Sequence, residues 1–126
     1  MRLAVLLFSS LLPVLFSTQT WAEEVPTEID YLLTTVGGSD CVFIRNGKRH
    51  DAADAEDHLR MKYRRGKRYA PTTEDFIERL ASKSSMSRKL YQIDCPGEEP
   101  VPSGDWLTLR LAEFRDKQAT RKDDEG

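Results

Sequence analysis

Two histidines, a cluster of serines and a run of basic residues are the parts of this chain with chemistry to offer. His50, Asp54 and His58 are spaced four and four. On one continuous helix they would share a face and could hold a zinc ion. Asp51 is placed to cap that helix, however, which leaves His50 outside it. No fourth ligand stands in reach, and the H-E-x-x-H pattern is missing. No metal site and no cofactor are therefore implied. Ser82, Ser84, Ser85 and Ser87 precede Tyr91. A serine beside a histidine base is the nucleophile of many hydrolases, but the G-x-S-x-G elbow is absent. Serines set among Met86 and Arg88 read more simply as a loop. A small hydrolase or metal-dependent enzyme using His50, His58 or the Ser82–Ser87 stretch is thus the lesser alternative, and no catalytic residue is assigned.

The basic run is more distinctive. Arg60, Lys62, Arg64, Arg65, Lys67 and Arg68 place six positive charges within nine residues with no acid among them, and Tyr63 and Tyr69 are interleaved. A charge run is most often a solvated face, and cations near a helix C-terminus complement its dipole. Its functional reading is a patch for an anionic partner. A second candidate site joins Arg45 to His58 and Lys62, which lie one turn apart on a helix. A few convergent polar groups over an apolar base define a binding pocket. Here it would sit between a hairpin, that helix and the serine loop. The plainer account is structural: Asn46-Gly47 makes a turn, Asp51 caps, and Arg45 pairs with an acid.

The elements that must position these residues can be read from periodicity. Thr27 reads as an N-cap, after which Ile29, Leu32, Leu33 and Val36 form one helical face ended by Gly37-Gly38. Cys41-Val-Phe-Ile44, then Asn46-Gly47, then Lys48-Arg49-His50 read as a β-hairpin. Asp51 opens a second helix over 52–65. Its inward positions are Ala52, Ala55, Leu59 and Tyr63, Glu56 and Arg60 form a favourable i,i+4 pair, and Gly66 closes it. Thr72 or Thr73 caps a third helix bearing Phe76, Ile77, Leu80 and Ala81. Leu90–Cys95 alternates as a strand, with Tyr91, Ile93 and Cys95 on one face. Ser103 or Asp105 caps a fourth helix carrying Trp106, Leu107, Leu111 and Phe114. The class is α+β: about four helices and a small antiparallel sheet made of the hairpin and one later strand.

Length and composition bound the rest. The chain has 126 residues, 32% charged and 39% hydrophobic, with a net charge of −2. That excludes a multi-domain enzyme, a polytopic membrane protein and, as a global property, a basic nucleic-acid binder. Arg2 followed by the apolar stretch Leu3–Phe16 and by Thr20-Trp-Ala22 reads as a secretory signal peptide cut after Ala22. The stretch is too short to span a bilayer comfortably. The expected organisation is a leader over 1–22, one domain over 23–114 and a charged, disordered tail over 115–126. Removing 22 residues leaves 104 with a net charge of −3. Export brings oxidising conditions, and an even count of two cysteines points to one Cys41–Cys95 bridge.

Two blocks resemble a known family. The first is Cys41-Val-Phe-Ile-Arg-Asn-Gly-Lys-Arg-His50 running on through Ala55-Glu-Asp-His-Leu-Arg-Met-Lys62. The second is Thr73-Glu-Asp-Phe-Ile77, Ala81-Ser-Lys-Ser-Ser85 and Leu90-Tyr-Gln-Ile93. In order and spacing they look like the YfeK-like family, short exported proteins of Gram-negative bacteria classed as a domain of unknown function. The resemblance implies a periplasmic single domain and transfers no activity and no site residue. The sequence therefore predicts a soluble periplasmic binding or interaction module. Its candidate binding residues are Arg45, His58, Lys62, Arg64, Arg65, Lys67 and Arg68. Its partner would be an anionic envelope component (lipid headgroup, lipopolysaccharide phosphate or peptidoglycan carboxylate) or an acidic protein, and not nucleic acid. No transmembrane segment is expected after cleavage, and the sequence leaves the oligomeric state open.

Overall fold

A computed structural model describes residues 21–126, with side chains from Glu24 onward. The leader expected over 1–22 lies outside the described residues as far as residue 20. Helix α1 spans Trp21–Gly37. It starts ahead of the cap expected at Thr27 and carries Pro26 inside it. Proline has no N–H to give, so the turn before Pro26 is held by one bond fewer, but residues 21–25 contain no other helix breaker. The inward face is as the spacing predicted: Ile29, Leu32, Leu33 and Val36 are all buried.

Strands β1 (Val42–Arg45) and β2 (Lys48–His50) form the hairpin. Asn46 and Gly47 have φ of 50° and 76°, so both turn positions lie where an Asn-Gly pair is tolerated best. Strand β3 (Gln92–Asp94) pairs antiparallel with the other side of β1, matching Phe43 with Ile93. A short strand not foreseen from sequence, β4 (Val101–Pro102), pairs with β3. Pro102 gives an edge strand its usual character, because it has no donor for a further neighbour. The sheet order is β2-β1-β3-β4. Cys41 and Cys95 flank the paired ends of β1 and β3 and are joined by a disulfide, as expected.

Helix α2 covers Ala52–Gly66, and the Asp51 carboxylate accepts from the Asp54 amide at 2.8 Å as its N-cap. Gly66 meets Leu80 of the next helix side by side, where a Cβ would lie 2.9 Å from Leu80 Cδ2. A 3-10 turn, Lys67–Tyr69, follows. Helix α3 starts as Thr73–Asp75, capped by Thr72, and continues as a π-helical segment over Phe76–Ala81. That segment buries Phe76, Ile77, Leu80 and Ala81 together. Helix α4 spans Ser103–Glu125. Neither expected cap serves it: the Ser103 hydroxyl donates instead to the Ala81 carbonyl at 2.8 Å, and Pro102 occupies the N-cap position. The segment expected to be a disordered tail is helical to Glu125 and largely exposed. No proline or glycine interrupts it before Gly126. Arg115, at its start, reaches back to Glu28 and Glu74.

The helices pack on one another and on the sheet, with α2 against β1 and α4 against β3. Alternation along the strands sends Phe43, Tyr91 and Ile93 into the core. Arg45, two residues from Phe43, and His50, its register partner, share that face. This placement brings the polar residues of the hairpin to the side where α2 lies.

Candidate functional site

The centre of the candidate site is the phenol of Tyr91, a residue 2% exposed. Two side chains one turn apart on α2 converge on it. Lys62 Nζ donates to Tyr91 Oη at 3.1 Å and to the Lys83 carbonyl at 2.8 Å, and it lies 4.9 Å from the Tyr91 ring centre. His58 Nε2 is 3.4 Å from the same hydroxyl. Lys62 is thus buried and anchored to the serine loop through a backbone carbonyl, while His58 is half-buried above it.

The electrostatics of this cluster have one sign. Burial, then Arg45, Lys62 and His50 in that order, lower the pKa of His58 from 6.5 to about 4. Burial, then Arg45, lowers Lys62 to about 8. Burial raises Tyr91, and Arg45 opposes the rise. No carboxylate contributes to any of these shifts. The acid expected to pair with Arg45 is not there. The half-buried Arg45 guanidinium makes no ion pair and no side-chain hydrogen bond among the described residues. His50 Nε2 is buried and has no hydrogen-bonding partner. Two positive groups, two imidazoles and a phenol therefore share one corner of the core face.

The basic run does not act as a single patch. Arg60 is taken by Glu56, Asp30 and Thr34, and Lys62 points inward. Arg64, Arg65, Lys67 and Arg68 are exposed at the end of α2 and in the 3-10 turn. None of the four forms an ion pair among the described residues. Lys67 lies over the Tyr63 ring and Arg68 over Tyr69. Tyr69 is itself 54% exposed.

The hydrolase arrangement is not assembled around the serines. Ser82 Oγ donates to the Ile77 carbonyl, Ser84 Oγ accepts from the amides of Met86 and Ser87, and Ser87 Oγ donates to Asn46 Oδ1 at 2.6 Å. The hydroxyl beside His58 belongs to Tyr91. Among the described residues, no group of three His, Cys, Asp or Glu side chains is placed to hold a metal ion. Two shallow clefts lie elsewhere. One, of about 420 Å³, is lined by Asp40, Arg49, Asp94, Cys95 and Glu98, and the other, of about 530 Å³, by Ile77, Leu111 and Arg115. Sequence reasoning named Arg45, His58 and Lys62 but not Tyr91 as a site residue. The strand alternation that turned Tyr91 inward was the available signal.

Among the described residues, four helices, a four-stranded antiparallel sheet and one disulfide define an α+β domain. A family model described as "Family of unknown function (DUF5329)" matches residues 23–115, and the chain belongs to that family. It is also similar to the uncharacterized protein YfeK of Salmonella typhimurium, with 40% identity over 52 residues. That stretch is 41% of this chain and 43% of the relative, so the likeness spans less than half of either. No solved structure matches the chain. No helix among the described residues is long and apolar enough to cross a membrane.

Proposed function

We propose that this protein is an exported, soluble periplasmic binding module, without catalysis, that docks on an anionic, phosphate-bearing surface of the cell envelope. The observation that supports this reading is the group Arg64, Arg65, Lys67 and Arg68. These are four exposed cations on consecutive turns with no protein acid answering them. Guanidinium groups match phosphate oxygens bidentately, and an exposed tyrosine beside them suits a surface that is wet on one side and apolar on the other. The apolar leader of the sequence and the disulfide are in keeping with export. Cleavage after Ala22 would leave Pro26 in the first turn of α1, where its missing N–H costs nothing.

Each Lys or Arg near an anionic lipid surface contributes about 1 kcal/mol. Neutralising all four should lower affinity by on the order of a hundredfold to a thousandfold at low salt. The experiment is co-sedimentation of the protein lacking its leader with phosphatidylglycerol-containing vesicles and with purely zwitterionic ones. The parent should bind the anionic vesicles alone, and R64Q/R65Q/K67Q/R68Q should not bind either. Equal binding by the two proteins would remove the patch from the account.

A further inference from the structure

We propose that the corner formed by Arg45, His58, Lys62 and Tyr91 is a second, separate binding site, one for a single small oxyanion: a carboxylate or a phosphate. The floor is the buried Tyr91 hydroxyl with Lys62 Nζ at 3.1 Å. The rim is made of Arg45, His50 and His58, all half-buried and so reachable from solvent. Strand register puts Arg45 and His50 on the core face with Phe43, and the Phe43 ring packs 5.3 Å from that of Tyr91. The corner is thus built by β1, β2, α2 and the residue just before β3, rather than by one helix end.

Its composition is unusual for a purely structural cluster. Partly buried charges in proteins are normally paired. Here the ammonium of Lys62 has only neutral acceptors, the Lys83 carbonyl and the Tyr91 hydroxyl. Arg45 has no partner among the described residues, and a buried nitrogen of His50 is also unanswered. An anion is the group whose charge complements this corner. A carboxylate or phosphate oxygen between Arg45 and Lys62 would give the guanidinium its bidentate acceptor. The same group would turn two mutually repelling cations into a clamp. Neither the outer patch nor its lipid partner is needed for this, so the two sites stand or fall independently.

The test is NMR detection of the His58 ring resonances in the protein lacking its leader. Inorganic phosphate and acetate are titrated separately at fixed ionic strength, with chloride as the control anion. Saturable shifts at His58 with phosphate or acetate, absent with chloride, are expected, and the anion giving the tighter curve identifies the source class. R45Q should weaken that binding by about tenfold or more, the effect of losing a charge-assisted hydrogen bond. Because Arg45 makes no ion pair and no side-chain hydrogen bond among the described residues, R45Q should fold as the parent does, which its melting curve checks. R64Q/R65Q/K67Q/R68Q should bind the small anion as the parent does. No saturable shift in the parent, the same shift with chloride, or unchanged binding in R45Q would each overturn the proposal. So would loss of anion binding in the patch variant with R45Q unaffected.

Discussion

Mild acid should destabilise this protein, and His58 should be the reason. Its pKa is about 4 in the folded chain against 6.5 for a free histidine. Burial and the neighbouring cations hold it neutral. The unfolded chain takes up a proton near the free value and the folded chain does not. Between those two values the unfolded state binds more protons, so stability falls as pH falls. Linkage for this one group across that window gives a loss of about 2 kcal/mol between about pH 7 and about pH 4.5. The carboxylates of Glu28 and Glu74 do not confuse the window. Burial pushes Glu28 up, but hydrogen bonds from Arg115 and Thr73 lower it on balance, and Arg115 lowers Glu74 against the opposing effect of its burial. Their contribution is present above 4.5 and disappears only below it, as pH falls through their folded values. The assay is urea unfolding across this range for the parent and for His58→Gln, together with direct NMR titration of the ring. The parent should lose about 2 kcal/mol that the variant does not lose. A His58 that titrates near 6.5, or identical acid profiles for the two proteins, would refute the reasoning.

Four further outcomes are expected. Reducing the Cys41–Cys95 bridge opens a closed loop of 55 residues, and the chain-entropy relation gives a ceiling of about 4 kcal/mol for the loss, measurable as a fall in Tm with reductant. Tyr91→Phe should cost about 1–3 kcal/mol in urea unfolding, because it removes an acceptor from the buried Lys62 ammonium without opening much space. Deleting the residues after Lys117 should change stability by less than about 0.5 kcal/mol, since they are almost all exposed. Arg115→Ala, just before that point, should cost about 1 kcal/mol by breaking the pairs with Glu28 and Glu74.

Local signals carried most of the fold. The i, i+3, i+4, i+7 spacing of Ile29, Leu32, Leu33 and Val36 has one solution as a helix face, and Asn46-Gly47 between two short strands has one solution as a turn. Asp51 and Thr72 are caps because each is followed by a helical run whose amide it can accept. Non-local facts were hidden. Strand β4 has two residues, and its partners lie eight and ten positions back across a proline-rich connector. Ser103 looks like a cap until α3 brings the Ala81 carbonyl to its hydroxyl. The six cations of the basic run are indistinguishable in sequence. Only packing tells that Arg60 meets α1, that Lys62 turns under the serine loop, and that the remaining four face water. The pairing of Arg45 was misjudged for a related reason. An acid directly opposite a strand arginine would stabilise the pair, yet the register partner of Arg45 is Lys48, a like charge.

The most direct test of the binding role is the salt dependence of association with anionic vesicles. An interface made by four unpaired surface cations must weaken steeply as salt rises, because exposed charges are screened over about 8 Å at physiological ionic strength. Binding of the parent to phosphatidylglycerol vesicles should fall continuously across a salt series, and R64Q/R65Q/K67Q/R68Q should show neither the binding nor the slope. Association that is indifferent to salt, or no association at the lowest salt used, would contradict the account.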